Sequence, residues 1–244
     1  MTDLPPIAIP SYQRAHILLS HTLGYLMDQE YPAEKITIFV ASEKECEDYK
    51  KVLPVGSYGA LVVGRLGLLN QLRFISEYYP EGELVLKMDD DVKGMKILMA
   101  NQTFLDLIRW GCWLILTKGG GLFGVLQNDD LRRFSEDLTT HLTHIVGSCY
   151  LHKNDRDCVP IVEEKDDYER SILFFKKYGK VYRWNGAGLT TKYMGMPGGL
   201  QQEGRKERMK DSVEYLLKKY PDYCRYREKK GTDDLILNWR AKSS

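Results

Sequence analysis

Apolar and polar positions follow two periods along the first 94 residues, one typical of buried strands and one of amphipathic helices. Short runs rich in Ile and Val predict strands, and the segments between them repeat apolar residues every three or four positions. The predicted strands are 7–9, 36–40, 61–63 and 84–86, and the predicted helices are 17–27, 43–51 and 66–79. Strands that alternate with helices form a mainly parallel sheet. The pattern therefore predicts an α/β chain with a Rossmann-like first half of the kind that binds nucleotides.

The pattern after residue 94 is less regular, which predicts a mixed, partly antiparallel second half. The predicted helices are 101–107, 168–178 and 209–220, and the predicted strands are 110–116, 145–151 and 181–184. The glycines at 119–121 do not fit a phosphate-binding pattern and indicate a turn. The glycine-rich segment 190–202 predicts a loop that can move.

We expect a single domain over residues 1–244. It divides into a nucleotide-binding half (1–94), a second half (95–200) and a helical, basic tail (201–244). The length and the 43% hydrophobic composition are sufficient for one large core.

Three adjacent carboxylates follow the fourth predicted strand. They are Asp89, Asp90 and Asp91, hereafter the acidic triplet. Like charges so close repel one another, and a divalent cation is the simplest group that makes the cluster tolerable. Side chains alternate along an extended chain, which places Asp89 and Asp91 on one side and Asp90 on the other. We therefore expect Mg²⁺ or Mn²⁺ here, completed by water and phosphate oxygens; the alternative is a solvated acidic turn.

A second acidic group lies just before the predicted helix 168–178. It consists of Asp166 and Asp167, hereafter the acidic pair. Asp167 could be the N-cap residue, whose side chain accepts a hydrogen bond from the first helical turn. The alternative is a carboxylate base that faces the same cleft as the metal, since a helix N-terminus stabilises negative charge. Both interpretations stay open on the sequence.

The cysteines and the apolar runs exclude several classes of protein. Five cysteines without a CxxC pair exclude a disulfide framework and a zinc site. The first residues lack the basic and apolar regions of a signal peptide, and the longest apolar run, around Cys112, is too short to span a bilayer. We therefore expect a cytoplasmic protein without a membrane partner.

Charge is unevenly distributed, although the formal net charge is only +1. Residues 201–244 hold 12 Lys+Arg against 8 Asp+Glu, which leaves an acidic excess in residues 1–200. An acidic body excludes a purely nucleic-acid-binding module. Aromatic and basic residues interleave in the tail, namely Tyr223, Arg225, Tyr226, Arg227, Lys229 and Lys230. Such a combination suits nucleic acid, and its alternative is a solvated helix end.

Several motifs occur in a fixed order along nearly the whole chain. They are IPSYQR at 9–14, the segment 64–73, MDDDV at 88–92, the acidic pair, and GGLQ at 198–201 followed by Arg205. This order resembles the GT-A glycosyltransferases, and it is most similar to the TET-associated and base J-associated DNA glycosyltransferases of viruses and kinetoplastids. Two positions depart from that group: Leu69 stands where arginine is frequent, and Asp166 where glutamate is usual.

The resemblance implies a GT-A type fold and metal-dependent transfer of a sugar, such as glucose from UDP-glucose, to a hydroxyl group. It implies Mn²⁺ or Mg²⁺ on Asp89 and Asp91, with Asp167 as the base and Asp166 beside it. The residues implied to bind the nucleotide-sugar donor are Pro10, Tyr12, Arg14, Glu43, Arg65, Asn70, Arg73, Asp89, Asp90, Gly198, Gly199 and Arg205. The implied acceptor is a 5-hydroxymethylpyrimidine in DNA, and the implied location of a viral member is the host cytoplasm or nucleus.

Two other functions stay open at this point. A transferase that builds a protein or surface glycan would use the same donor chemistry. A nucleotidyltransferase also places paired acids at strand ends, but residues 10–14 lack the basic, glycine-rich signature expected after its first strand. The sugar, the stereochemistry of transfer and the oligomeric state are not determined by these patterns.

Overall fold

The computed structural model of the chain describes residues 3–191, 204–229 and 232–243. The strands of its central sheet are β1 (Ile7–Pro10), β2 (Ile36–Val40), β3 (Ala60–Val63), β4 (Leu84–Met88), β5 (Val92–Ile97), β6 (Leu122–Leu126), β7 (Leu138–Thr139), β8 (Cys149–Lys153) and β9 (Tyr182–Thr191). The strand order is β3-β2-β1-β4-β8-β6-β9-β5, and β7 pairs with β9.

The helices flank this sheet. They are α1 (Ala15–Leu18), which continues through a π turn (Leu19–Leu23) into α2 (Gly24–Asp28), then α3 (Glu43–Val52), α4 (Leu68–Tyr78), α5 (Phe104–Lys118), α6 (Asp166–Tyr178) and α7 (Arg205–Lys219). Among the described residues, none of these helices is long and apolar enough to cross a membrane.

The first half of the sheet is parallel, as the sequence predicts. β1 lies between β2 and β4, and Ile7 aligns with both Ile36 and Leu86. β3 adds to the outer side of β2, again in parallel. The central strands are buried on both faces, which agrees with their continuous apolar composition.

The second half of the sheet is mixed, which confirms the predicted fold class. β8 pairs antiparallel with both β4 and β6, whereas β9 runs parallel to β6 and antiparallel to β5. The join between the two halves is the β4–β8 ladder, in which Met88 aligns with Cys149. This ladder leads directly into the acidic triplet.

The prediction of a strand at 110–116 is wrong, because this segment belongs to helix α5. The helix begins with a capping box, in which the Thr103 hydroxyl accepts from the Asp106 amide and the Asp106 carboxylate accepts from the Thr103 amide. Its apolar residues cover more than one side: Cys112 is buried, whereas the adjacent Trp113 is exposed. A broadly apolar helix of this kind resembles a buried strand in sequence.

Other element boundaries also differ from the predictions. The strand predicted at 145–151 starts only at Cys149, the strand predicted at 181–184 continues to Thr191, and β5 was not predicted. The predicted mobile loop 190–202 lies outside the described residues from 192 onward.

The tail is not wholly helical. After α7 the chain forms an antiparallel hairpin of β10 (Cys224–Lys229) and β11 (Thr232–Leu237), so the interpretation of this segment as a solvated helix end is wrong. Leu216 of α7 and Leu235 of β11 share a hydrophobic cluster with Ile172 of α6. The hairpin therefore packs on the second half of the sheet domain.

Candidate active site

The acidic triplet lies at the carboxyl end of β4, and its backbone is held from two sides. The Asp89 amide donates to the Ser148 carbonyl (2.8 Å), which continues the β4–β8 ladder. From the π turn, the buried Thr22 hydroxyl donates to the Asp89 carbonyl (2.6 Å) and accepts from the Val92 amide (2.9 Å). These bonds fix the directions in which the three carboxylates leave the chain.

Asp90 points inward, as the alternation predicts, and is only 5% exposed. Its carboxylate accepts a hydrogen bond from the Ser11 hydroxyl (2.6 Å) and lies 3.3 Å from the Arg14 guanidinium. The Tyr49 hydroxyl bonds to Ser11 (2.6 Å) and accepts from the Arg14 amide (3.0 Å). Burial raises the pKa of Asp90 to about 6, although Ser11 and Arg14 act to lower it. Asp90 therefore joins the turn after β1 to the acidic triplet.

Asp89 and Asp91 remain accessible, with side chains 34% and 22% exposed. Asp89 forms a close ion pair with the buried Lys87, and the Asp91 carboxylate lies 3.6 Å from the Arg14 guanidinium. Burial and then the neighbouring Asp89 charge raise the pKa of Asp91, against the opposing effect of Arg14 and Lys87. Two cations thus do not offset the negative charge of three carboxylates.

The accessible carboxylates fit a hard divalent cation. Across the three described ranges, no three His, Cys, Asp or Glu side chains are grouped so that they could hold a metal ion. A cation here would therefore take oxygen ligands from Asp89 and Asp91 and complete its shell with water and phosphate. This ligand set suits Mg²⁺ or Mn²⁺ rather than zinc, which prefers nitrogen and sulfur.

A cleft of about 530 Å³ opens beside the acidic triplet. The turn after β1 forms one wall, and residues 65–71, which lead into α4, form another. The predicted site residues that line it are Pro10, Tyr12, Arg14, Arg65, Asn70, Asp89, Asp90 and Asp91. The cleft falls within the usual size range of small-molecule sites.

Five of the predicted donor-binding residues either do not line the cleft or lie outside the described residues. Glu43 and Arg73 are exposed on α3 and α4 and do not line the cleft. Arg205 also lies off the lining and pairs with the buried Glu164 (3.3 Å). Gly198 lies outside the described residues, as does Gly199.

Glu45, two residues after Glu43 on α3, holds the turn after β1. Its two carboxylate oxygens accept from the amides of Gln13 (2.7 Å) and Ala41 (2.8 Å). Gln13 has a positive φ of 56°, so this turn is conformationally restricted. Glu45 therefore holds the backbone of the turn that forms one wall of the cleft.

The acidic pair begins helix α6 rather than capping it. The N-cap residue is Lys165, in a left-handed conformation with φ 63° and ψ 24°. The interpretation of Asp167 as an N-cap is therefore wrong. The Asp166 carboxylate lies 3.2 Å from the Arg170 guanidinium, and the Asp167 carboxylate lies 2.7 Å from Nε2 of His144.

The two carboxyls of the acidic pair have opposite pKa shifts. Burial and then the charge of Asp167 raise the pKa of Asp166 to about 6, against Arg170. Burial also acts to raise the pKa of Asp167, but His144 and then Arg170 and Lys165 outweigh it and hold that pKa well below its usual range. Asp167 is therefore ionised at neutral pH, whereas Asp166 titrates closer to neutrality.

The acidic pair lies next to the acidic triplet. Lys87, the partner of Asp89, also donates to the Gly147 carbonyl (2.8 Å). A Cβ atom built on Gly147 would lie 3.7 Å from Cβ of Asp167 and 4.0 Å from the Asp166 carboxylate. One short segment after β7 thus separates the two acidic groups.

Several residues of the site were not predicted from the sequence. They are Ser11, Thr22, Glu45, Lys87, His144, Glu163, Arg170 and Arg208. Lys87 could have been predicted from the sequence, because a lysine inside an otherwise apolar strand needs an anionic partner. The others depend on contacts between residues distant in sequence.

No family model and no curated protein matches the chain. Among solved structures, S. aureus TarS is similar at a TM-score of 0.53 and 11% identity, over 88% of this chain and 66% of that one. The mannosyltransferase PcManGT of Pyrobaculum calidifontis, in complex with GDP-Man and Mn²⁺, is similar at a TM-score of 0.53 and 16% identity. The match covers 91% of this chain and 66% of that one. The present chain is thus shorter than both of these structures.

Glucosyl-3-phosphoglycerate synthase of Mycobacterium tuberculosis is similar over nearly its full length. The TM-score is 0.52 at 11% identity, over 98% of this chain and 89% of that one, in a complex with Mn²⁺, UDP-glucose and phosphoglyceric acid. The fold is of the GT-A type. At these identities the similarity establishes the fold and leaves the reaction to be argued from the site.

Proposed function

We propose that the protein is a metal-dependent glycosyltransferase, which moves a sugar from a nucleotide sugar to a hydroxyl acceptor. The observation that carries this proposal is the cleft itself: two accessible carboxylates at the end of β4 face a volume of about 530 Å³. A nucleoside diphosphate is anionic, so it needs cations to bind near these carboxylates. Arg14 and a divalent ion meet that need.

The donor occupies the cleft beside the acidic triplet. Asp89 and Asp91 hold Mn²⁺ or Mg²⁺, and this cation, when bound, offsets the charge of the departing diphosphate. Tyr12 and Pro10 line the wall beside Arg14, and Asn70 and Arg65 line the opposite wall. We propose a UDP-sugar as the donor, because the resemblance implies one and the cleft has the size for it.

The proton acceptor for the hydroxyl of the second substrate belongs to the group formed by the acidic pair and His144, in which Asp167 is the predicted base. The acidic pair lies across the short segment at Gly147 from Asp89, so the reacting sugar would lie between metal and base. Asp167 is ionised, as a base must be, and Asp166 stays near it through Arg170. Removal of the hydroxyl proton raises the nucleophilicity of the acceptor oxygen as the diphosphate leaves.

We propose a 5-hydroxymethylpyrimidine in DNA as the acceptor, which would place the enzyme in the cytoplasm or nucleus. Arg225 and Tyr226 are exposed on β10, and the Arg240 guanidinium lies 4.6 Å from the centre of the exposed Trp239 ring. Cations beside exposed aromatic rings suit phosphates and unstacked bases. The target base must leave a duplex to reach the cleft.

A protein or glycan acceptor is the second candidate, and one observation favours it. Arg227 forms an ion pair with the buried Asp234, which also binds Lys165 (2.6 Å). The hairpin therefore presents less free positive charge than its sequence suggests. Labelled sugar on hydroxymethylated DNA supports the first acceptor, and label on protein or glycan alone supports the second.

A thermal-shift screen of nucleotide sugars tests the proposed donor. A donor at 100 times its Kd adds about 2.7 kcal/mol to the free energy of unfolding. We expect UDP-sugars to raise the melting temperature with Mn²⁺ present and to do so weakly with EDTA. If no nucleotide sugar shifts the transition in the presence of Mn²⁺, the proposed function is wrong.

A further inference from the structure

His144 and Asp167 form a close, partly exposed pair at the edge of the site. Nε2 of His144 lies 2.7 Å from a carboxylate oxygen of Asp167, and the two side chains are 22% and 21% exposed. His144 comes from the segment between β7 and β8, whereas Asp167 belongs to the first turn of α6. The fold thus brings together an imidazole and a carboxylate that are 23 residues apart.

The charge state of Asp167 decides the tautomer of His144. Both carboxylate oxygens already accept a hydrogen bond, one from His144 and one from the Tyr168 amide (3.0 Å). An ionised carboxylate can only accept, so Nε2 of His144 must be the donor. In the neutral imidazole, Nδ1 then carries the lone pair and is the basic atom.

The orientation of the imidazole is also fixed. Its ring stacks on the Tyr168 ring, with centroids 4.4 Å apart and an angle of 29° between the planes. Among the residues that the structure describes, none forms a hydrogen bond with Nδ1. The charged groups around the ring are Asp167 from α6, Lys165 above Tyr168, and Arg183 of β9, which donates to the His144 carbonyl (3.5 Å).

We propose that Nδ1 of His144, rather than an oxygen of Asp167, takes the proton from the acceptor hydroxyl. Asp167 then acts as a positioning residue that holds the tautomer and stabilises the imidazolium. This inference rests on the proposed glycosyltransferase function and assigns the proton acceptor within it. The arrangement follows the logic of other Asp–His pairs, in which the carboxylate orients the imidazole without becoming protonated.

The proposed step balances as a direct displacement. The hydroxyl proton passes to Nδ1, and the hydroxyl oxygen forms a bond to the anomeric carbon of the donor sugar. The bond from that carbon to the diphosphate oxygen breaks, and its electron pair leaves with the nucleoside diphosphate. The imidazolium afterwards returns the proton to water.

Basicity supports this assignment beside the geometry. A base is most efficient when its pKa lies near the working pH, and His144, then Arg170 and Lys165, hold the pKa of Asp167 well below that range. The Asp167 carboxylate is thus a weak proton acceptor at neutral pH.

The decisive experiment compares His144→Ala with His141→Ala in the full-length chain. His141 is a matched control, because it lies three residues earlier, is exposed, and makes an edge-on contact with Trp239 instead of contacting Asp167. We expect kcat for transfer to fall about 10²–10⁴-fold in His144→Ala. Donor affinity, measured by thermal shift with UDP-sugar and Mn²⁺, should stay unchanged, and His141→Ala should keep normal transfer.

Two further readouts separate catalysis from structure. Added imidazole should restore part of the transfer in His144→Ala and have no effect on the wild-type protein. Where His144→Ala does not fold, His144→Gln replaces it, since its amide can still donate to Asp167 but cannot accept a proton near neutral pH. Normal transfer in the folded His144 variant would overturn the inference while the glycosyltransferase function stands.

NMR of the free protein provides a test that does not depend on turnover. The ¹⁵N shifts of neutral His144 should report a protonated Nε2 and an unprotonated Nδ1. The opposite tautomer would overturn the inference. If the wild-type protein transfers no sugar to any acceptor, the proposed function fails instead, whatever the tautomer.

Discussion

The two acidic groups of the site differ mainly in their counter-charges. The acidic triplet places three carboxylates against Lys87 and Arg14, and the pKa values of Asp90 and Asp91 are raised. In the acidic pair, Asp167 has His144, Arg170 and Lys165 around it, and its pKa is lowered. The pKa of Asp166 is raised by burial, as in the triplet. The three carboxylates of the triplet face two cations, whereas the two of the pair face Arg170 and Lys165, so the triplet has negative charge to share with a further cation. This difference explains why we assign the metal to one group and proton transfer to the other.

The largest effect should come from Asp167→Asn, which tests the role of the acidic pair. The amide keeps the size of the side chain but cannot hold His144 as an ionised carboxylate does. We expect transfer to fall about 10²–10⁴-fold. The melting temperature should also fall, because His144, Arg170 and Lys165 stabilise the ionised carboxylate in the folded state.

Asp222→Asn is the control for this substitution. Asp222 is an exposed acid next to the hairpin and outside the cleft lining. Its loss should leave transfer unchanged. Near-normal transfer in Asp167→Asn would remove the distinction between the two acidic groups.

The next effect concerns the pH dependence of stability. The pKa of Asp90 is about 6 in the folded chain, against an ordinary value of 3.8, so the folded state binds this proton more tightly than the unfolded state. The free energy of unfolding should therefore decrease as pH rises from about 4 to 6, by about 3 kcal/mol at most from this group. Asp90→Asn should remove that decrease in urea unfolding measured with EDTA.

Asp167 should give the opposite sign in the same experiment. Its lowered pKa stabilises the folded state above about pH 4, and this contribution is lost as pH falls further. When each variant is compared with the wild type at every pH, the contributions of the other titrating groups to the free energy of unfolding cancel. Parallel wild-type and Asp90→Asn curves would mean that the pKa of Asp90 is not raised in the folded chain.

A smaller effect is expected for donor binding in Asp91→Asn. The stabilisation by UDP-sugar and Mn²⁺, about 2.7 kcal/mol at 100 times the Kd, should largely disappear. The protein without ligand should be as stable as the wild type or slightly more stable, because repulsion within the triplet decreases. Asp48→Asn, an exposed acid on α3, should keep the full Mn²⁺-dependent shift. An intact shift in Asp91→Asn would exclude Asp91 as a ligand.

The smallest effect concerns the exposed hairpin and the proposed DNA acceptor. Arg225→Gln should reduce the slope of log K against log salt for duplex binding by about 0.9, the contribution of one phosphate contact. Arg227→Gln should instead lower the melting temperature, because Arg227 neutralises Asp234. An unchanged slope in Arg225→Gln would argue against a phosphate contact at this position.

Much of the first half of the fold could be predicted from the sequence. Buried parallel strands are short apolar runs, and β2 has the predicted boundaries because Ile36 and Val40 are enclosed on both faces. The second half was harder. Part of helix α5 resembles a strand because residues 110–116 contain no charged side chain, although the Thr103–Asp106 capping box marks the start of the helix.

The site, too, could be predicted from the sequence only in part. The acidic triplet is visible in the sequence because it interrupts an apolar strand, and its inward residue Asp90 follows from simple alternation. The partners of these acids are not visible. Thr22 and His144 contact them across 67 and 23 residues, and no local pattern encodes such pairs.

The β4–β8 ladder has a consequence for how substrate preference could change in this fold. A backbone bond joins Asp89 to Ser148, and the Lys87 side chain bonds to the Gly147 carbonyl, so the spacing of the two acidic groups is fixed where the ladder ends. The β10–β11 hairpin and the wall at 65–71 lie outside that ladder. Acceptor and donor preference can therefore diversify, in evolution or by engineering, while the reactive geometry between them is retained.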